Sequence, residues 1–137
     1  MSNKENFFKN KRKSFKTSKN LLISFKYAFI GINYTFQYSR NFKIELLFAS
    51  FVLLLGSILQ INRSDYLILI ATIMSVLILE ILNTSIESLV DLVVKKKFSN
   101  LARIAKDCSA GAVLLASINS VIIALYLFVP KIKLLFF

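Results

Sequence analysis

The sequence predicts an all-α membrane protein, with three transmembrane helices preceded by an amphipathic surface helix. Two observations carry this expectation. Of the 137 residues, 56% are hydrophobic and only 18% charged, against about 25% charged in ordinary soluble chains, and the uncharged residues gather in stretches long enough to cross a bilayer. The charges are as unevenly distributed, with 18 Lys and Arg against 7 Asp and Glu, and the cations cluster at the ends of those stretches. One Pro and 13 Phe argue against a disordered or collagen-like chain. His is absent and Cys108 stands alone, which excludes a disulfide framework, a Cys/His zinc site and any chemistry with His as base. Carboxylates, Lys, Arg, hydroxyls and amides must do whatever is done.

A basic arm, residues 1–20, comes first. Ten of the 18 cations fall in the first 43 positions, and Glu5 is the only acid among them. With lipid-like sequence downstream, such a block points to anionic lipid headgroups as its partner and not to nucleic acid. No short apolar core with a small-residue cleavage site follows Lys19, so the arm is expected to remain in the mature protein. A membrane domain, residues 21–130, follows. Between positions 21 and 38, Phe25, Ala28, Phe29, Ile32 and Phe36 alternate at helical spacing with Lys26, Asn33 and Gln37, which predicts a helix lying on the cytoplasmic membrane surface.

The first span is expected over about 44–61, where nothing after Glu45 is charged and Lys43 and Arg63 mark the interfaces. Asn62-Arg63-Ser64-Asp65 then reads as a tight polar turn. The second span covers 66–94, apolar to Leu79 and then interrupted by Glu80, Asn83, Thr84, Glu87 and Asp91. The third covers 108–129 and is expected to stop at Pro130, leaving residues 131–137 as a tail. Cys108 is expected to be a small packed thiol. Between the second and third spans, Lys95, Lys96, Lys97, Arg103 and Lys106 precede the first acid, Asp107. By the excess of cations on the inner side, this loop and the N-terminus are cytoplasmic and the near-neutral turn at 62–65 is external.

The polar interruptions of the second span form one stripe. Spacings of three, four and seven put Glu80, Asn83, Thr84, Glu87 and Asp91 within roughly a 100° sector of a helix. With Tyr66 at the outer surface, Glu80 lies about 21 Å inward and Glu87 about 31 Å, so Glu80 is still within hydrocarbon while Glu87 and Asp91 reach the interface. A carboxylate at such depth costs about 2.5 kcal/mol or more and marks function. Helix adhesion by hydrogen bonds is one reading, although one Asn or Thr would suffice for it. An ion pathway is a second, although only Glu45 on the other spans could continue it. A di-iron bundle needs His. Acids beside Arg103, Lys106 and Asp107 at the cytoplasmic face also suit Mg²⁺ and a polyphosphate, with oxygen ligands for the metal and cations for the phosphates. A lipid alcohol sits at the same interface, and a partly desolvated Glu80 is suited to accept its hydroxyl proton.

Two blocks resemble one family. Glu80-Ile81-Leu82-Asn83-Thr84-Ser85-Ile86-Glu87-Ser88-Leu89-Val90-Asp91 is similar to the E-x-x-N-T-x-x-E-x-x-x-D signature of the small bacterial integral-membrane diacylglycerol kinases and undecaprenol kinases. Ala105-Lys106-Asp107-Cys108-Ser109-Ala110-Gly111-Ala112-Val113-Leu114 resembles their A-K-D-x-x-A-G-A-V-L stretch. The likeness extends from about Ser24 to Val129. It implies an ATP-dependent, Mg²⁺-requiring lipid kinase of the bacterial plasma membrane, with diacylglycerol as substrate and undecaprenol as the alternative. It also implies that Glu80 is the catalytic base, that Asn83 positions it, that Glu87 ligates Mg²⁺ on the ATP phosphates, and that Lys106 and Asp107 contact the nucleotide. Lys97, Phe98 and Ser99 would occupy an adenine-side loop where the family usually has Tyr-His. Ser39 stands where the family commonly has a metal-ligating Glu, and would hold a metal-bound water. The resemblance further implies a homotrimer with shared active sites, and the small residues Ser109–Ala112, Ala116 and Ser117 allow the close helix approach this needs. A non-catalytic membrane adaptor and a small carboxylate-lined transporter are the readings from other classes.

Overall fold

Three polar residues punctuate the chain. The computed structural model describes residues 21–95 and 97–136, the last two by backbone alone, and resolves them into four helices: α1 (Leu21–Tyr38), α2 (Arg40–Ile58), α3 (Arg63–Val94) and α4 (Asn100–Phe136). The basic arm lies outside the described residues. Ser39 adopts an extended conformation and its Oγ accepts the Phe42 N–H at 3.1 Å, capping α2. Asn62 is extended at the start of α3. Ser99 Oγ accepts the Ala102 N–H at 3.4 Å at the start of α4. Each supplies the break that α-helical backbone needs before its first unpaired N–H groups.

The chain divides into two units, one ending at Gly31 and one from Ile32 onward. In the first, residues 21–31 are helical and expose Leu21, Leu22, Phe25 and Phe29. In the second, α2, α3 and α4 are each long and apolar enough to cross a membrane. Helix α3 lies between the other two and packs against both. The core gathers near the ends of the spans remote from Glu80: Leu69, Leu127 and Phe128 are buried, with Val52, Leu55, Ile61 and Ile73 around them. Apolar side chains such as Leu47, Leu54, Ile78 and Leu115 point outward, as expected of helices whose surroundings are lipid. At 32 residues α3 is about 48 Å long, well beyond the roughly 30 Å of bilayer hydrocarbon.

The expected turn at 62–65 is displaced. Arg63, Ser64 and Asp65 belong to the first turn of α3, where an acid complements the helix dipole, and the reversal is made by Leu59–Asn62 instead. Gln60 takes the left-handed conformation at φ 45°. Its N–H donates to Ser57 O at 3.3 Å and that of Ile61 to Gly56 O at 3.2 Å, the paired bonds of a Schellman cap. A Cβ on Gly56 would lie 3.2 Å from both Ile61 Cδ1 and Tyr66 Cε2, so a side chain there would press on both neighbours by a few tenths of an ångström. Helix α4 also continues through Pro130 to Phe136. Leu127 and Phe128 are fixed in the core just before the proline, and the helix tolerates the loss of one backbone bond there. Cys108 is exposed and not packed. Its neighbour Ser109 is the residue that faces α3, which turns Cys108 about 100° away.

Candidate active site

The polar stripe of α3 begins buried and ends exposed. Glu80 is 2% exposed and Asn83 6%, with Thr84 also buried, whereas Glu87 and Asp91 stand open. The buried part is where α2 and α4 both cover α3, and each contributes a hydroxyl. Ser39 Oγ donates to Glu80 Oε1 at 2.6 Å. Ser109 Oγ lies 2.6 Å from Asn83 Oδ1 and 2.9 Å from the Lys106 carbonyl, and its one hydrogen is shared between the two acceptors. Asn83 Nδ2 in turn donates to Glu87 Oε1 at 3.1 Å. Asn83 therefore joins α4 to Glu87, while Ser39 fixes one oxygen of Glu80.

Beyond Glu87, Lys106 Nζ donates to Asp91 Oδ1 at 2.5 Å, tying α4 to the last turns of α3. Asp107 faces the other way. Its carboxylate lies 3.9 Å from Arg103 Nε one turn back on α4, both side chains being about two-thirds exposed, and the structure does not join it to the Glu80 cluster. Lys97 and Phe98 project from the loop, Phe98 81% exposed. Ser99 is engaged as the cap of α4.

A cavity of about 270 Å³ opens beside the cluster, lined among others by Asn41, Glu45, Glu80, Asn83 and Ser117. Of these lining residues, Glu80 and Glu45 each have a buried Oε2 without a hydrogen-bond partner among the described residues. Such oxygens are costly unless a ligand or water satisfies them. Four participants were missed or undervalued in the sequence. Ser109 reads as one of several small residues. Asn41 and Glu45 lie beyond the stripe on another helix. Asp91 belongs to the stripe, but nothing in the sequence pairs it with Lys106. The advance signals were Asp91's place on the stripe and Glu45, an acid within an apolar run.

The donor set bears on a metal. No three of His, Cys, Asp and Glu converge as a cage among the described residues. Mg²⁺ does not require one, since it is commonly held by one or two carboxylates together with phosphate oxygens and water. Glu87, exposed and with its second oxygen outside the Asn83 bond, fits that chemistry. Ser39 fits it less well, because its hydrogen is given to Glu80 and one lone pair to Phe42, leaving a single lone pair.

Comparison with known proteins points the same way. Residues 26–128 match the family described as prokaryotic diacylglycerol kinase. The chain is 42% identical over 120 residues to a diacylglycerol kinase of Synechocystis sp., covering 88% of this chain and 69% of that protein. It is 39% identical over 108 residues to an undecaprenol kinase of Bacillus subtilis, covering 79% of this chain and 87% of that one.

Proposed function

We propose that this chain, which belongs to the prokaryotic diacylglycerol kinase family and is a membrane lipid kinase, transfers the terminal phosphoryl group of ATP to the primary hydroxyl of diacylglycerol, giving phosphatidic acid. The observation that carries the mechanism is the buried Glu80 carboxylate beside a cavity that this residue helps line, one oxygen held by Ser39 and the other without a partner among the described residues. Glu80 Oε2 accepts the hydroxyl proton as the alcohol oxygen bonds to the terminal phosphorus. The bond from that phosphorus to the bridging oxygen breaks, and ADP leaves. Ser39 keeps the accepting carboxylate in register with the cavity, and Asn83 keeps Glu87 beside it. Mg²⁺, held by Glu87 with the nucleotide phosphates, would supply charge neutralisation during transfer. Lys106, oriented by Asp91, meets the phosphates from the α4 side. Lys97, Phe98 and Ser99 would contact the nucleotide from the loop, and Asp107, paired with Arg103 away from the Glu80 cluster, would have to turn to reach it.

Several wider features belong to this reading. The protein sits in the bacterial plasma membrane, with the N-terminus, the loop after α3 and the active site cytoplasmic. The basic arm rests on anionic headgroups. The chain forms a homotrimer whose subunits complete one another's sites, with the small residues Ser109–Ala112, Ala116 and Ser117 of α4 allowing close helix approach.

Undecaprenol is the second reading, favoured by 39% identity to a protein of that activity. Solubilised protein supplied with labelled ATP, Mg²⁺ and each lipid separately decides between them. Labelled phosphatidic acid is expected, labelled polyprenyl phosphate alone would assign the other substrate, and no labelled lipid would contradict both.

A further inference from the structure

Three polar groups on two helices form one chain of hydrogen bonds. Ser109 of α4 and Asn83 of α3 are buried, while Glu87, one turn further along α3, is exposed. Ser109 Oγ lies 2.6 Å from Asn83 Oδ1, and Asn83 Nδ2 lies 3.1 Å from Glu87 Oε1. An amide has one accepting end and one donating end, so turning Asn83 over would exchange them. Its Oδ1 would then face Glu87 Oε1, two acceptors with no hydrogen between them, and the Ser109 hydrogen would pass wholly to the Lys106 carbonyl, 2.9 Å away. The hydrogen that Ser109 gives to Oδ1 satisfies a buried acceptor and so holds the amide in the opposite sense. Both hydrogens of the chain therefore point towards Glu87. Position 109 is one that the A-K-D-x-x-A-G-A-V-L pattern leaves open, so the resemblance itself assigns this hydroxyl nothing.

We infer that Ser109 is a positioning residue for the choice of metal: through Asn83 it reserves one oxygen of Glu87, leaves the other for a cation, and so favours Mg²⁺ over Ca²⁺. The inference rests on the reading that Glu87 holds Mg²⁺ and adds to it what sets the ion's identity. Mg²⁺ demands near-octahedral geometry with short bonds, whereas Ca²⁺ takes more oxygens and accepts both from one carboxylate. An Oε1 already engaged by a buried amide opposes binding through both oxygens, which handicaps the larger ion. Without the Ser109 hydrogen the amide is free to turn, and both oxygens of Glu87 become open.

The test uses the full chain in detergent micelles with Mn²⁺, which shares the oxygen chemistry of Mg²⁺, and the nucleotide analogue AMP-PNP. Water-proton relaxation separates Mn²⁺ on a protein from Mn²⁺ on free nucleotide and needs no turnover. Mg²⁺ and Ca²⁺ are each titrated in as competitors, and the wild-type protein should release Mn²⁺ to Mg²⁺ at the lower concentration. In Ser109→Ala that preference should shrink about tenfold, and Ser109→Cys, which keeps the shape but has only a weak donor, should follow it. Ser85→Ala should leave the preference unchanged, since that hydroxyl bonds Ile81 O on its own helix at 2.9 Å. An unchanged preference in Ser109→Ala overturns the inference. So does a preference kept by Ser109→Cys, which would assign the effect to packing, or an equal weakening of both ions, which would mark general loosening of the site. Glu87→Gln separates the two readings and should abolish the signal of bound Mn²⁺. If it does so while the Ser109 variants change nothing, this inference alone fails. If Mn²⁺ binds Glu87→Gln as tightly as wild type, the metal reading fails with it.

Discussion

Glu80 presents two oxygens in opposite circumstances, one bonded to Ser39 and one without a partner among the described residues. Glu80→Gln keeps the size and should keep the fold while removing the proton acceptor, so kcat should fall about 10²-fold or more with little change in thermal midpoint; near-normal turnover would refute the role. Ser39→Ala separates positioning from metal binding. Losing the bond to Glu80 should lower kcat and alter its pH profile, and losing the cap of α2 should cost about 1 kcal/mol of stability. The Mg²⁺ titration should barely move, whereas a marked shift to higher Mg²⁺ concentration would restore Ser39 as a ligand. The stripe itself was legible because Glu80, Asn83 and Glu87 repeat at helical spacing on one element. The bonds to Ser39 and Ser109 were not, since 41 and 26 residues of chain separate those partners and only packing of α2 and α4 on α3 brings them together.

At the level of elements, the hairpin between α2 and α3 rests on Gly56 and Gln60. Gln60 holds a left-handed conformation that costs a non-glycine residue about 1 kcal/mol. Gln60→Gly should therefore raise the unfolding midpoint and Gln60→Val lower it. Gly56→Leu should destabilise by about 1–3 kcal/mol, because Tyr66, which would have to yield, is held by its hydroxyl to Leu53 O at 3.0 Å and Ser57 Oγ at 3.1 Å. Thermal unfolding in detergent measures all three, and a midpoint unchanged by Gly56→Leu would contradict the packing argument. Three apolar runs told of three long helices because length and hydropathy suffice for that. They did not tell where helices end: Asn62 begins α3 earlier than the polar cluster suggested, and Pro130 does not end α4 because Leu127 and Phe128 hold the turn before it.

For the whole molecule, orientation is the property to measure. In a Cys108→Ser background, needed because that thiol is exposed, Ser64→Cys should react with an impermeant maleimide on intact cells and Lys97→Cys only after permeabilisation; the reverse pattern would invert the topology. The charge asymmetry that sets this expectation is plain in the sequence, whereas assembly depends on contacts between chains that one sequence does not display. The length of α3 has a further consequence. One helix of about 48 Å carries a buried acid, Glu80, and an exposed one, Glu87, and in the mechanism proposed above neither reactant would have to leave its own phase. Turnover should then follow the alcohol's mole fraction within the micelle or membrane, and inert amphiphile added at constant total alcohol should slow the reaction by surface dilution alone.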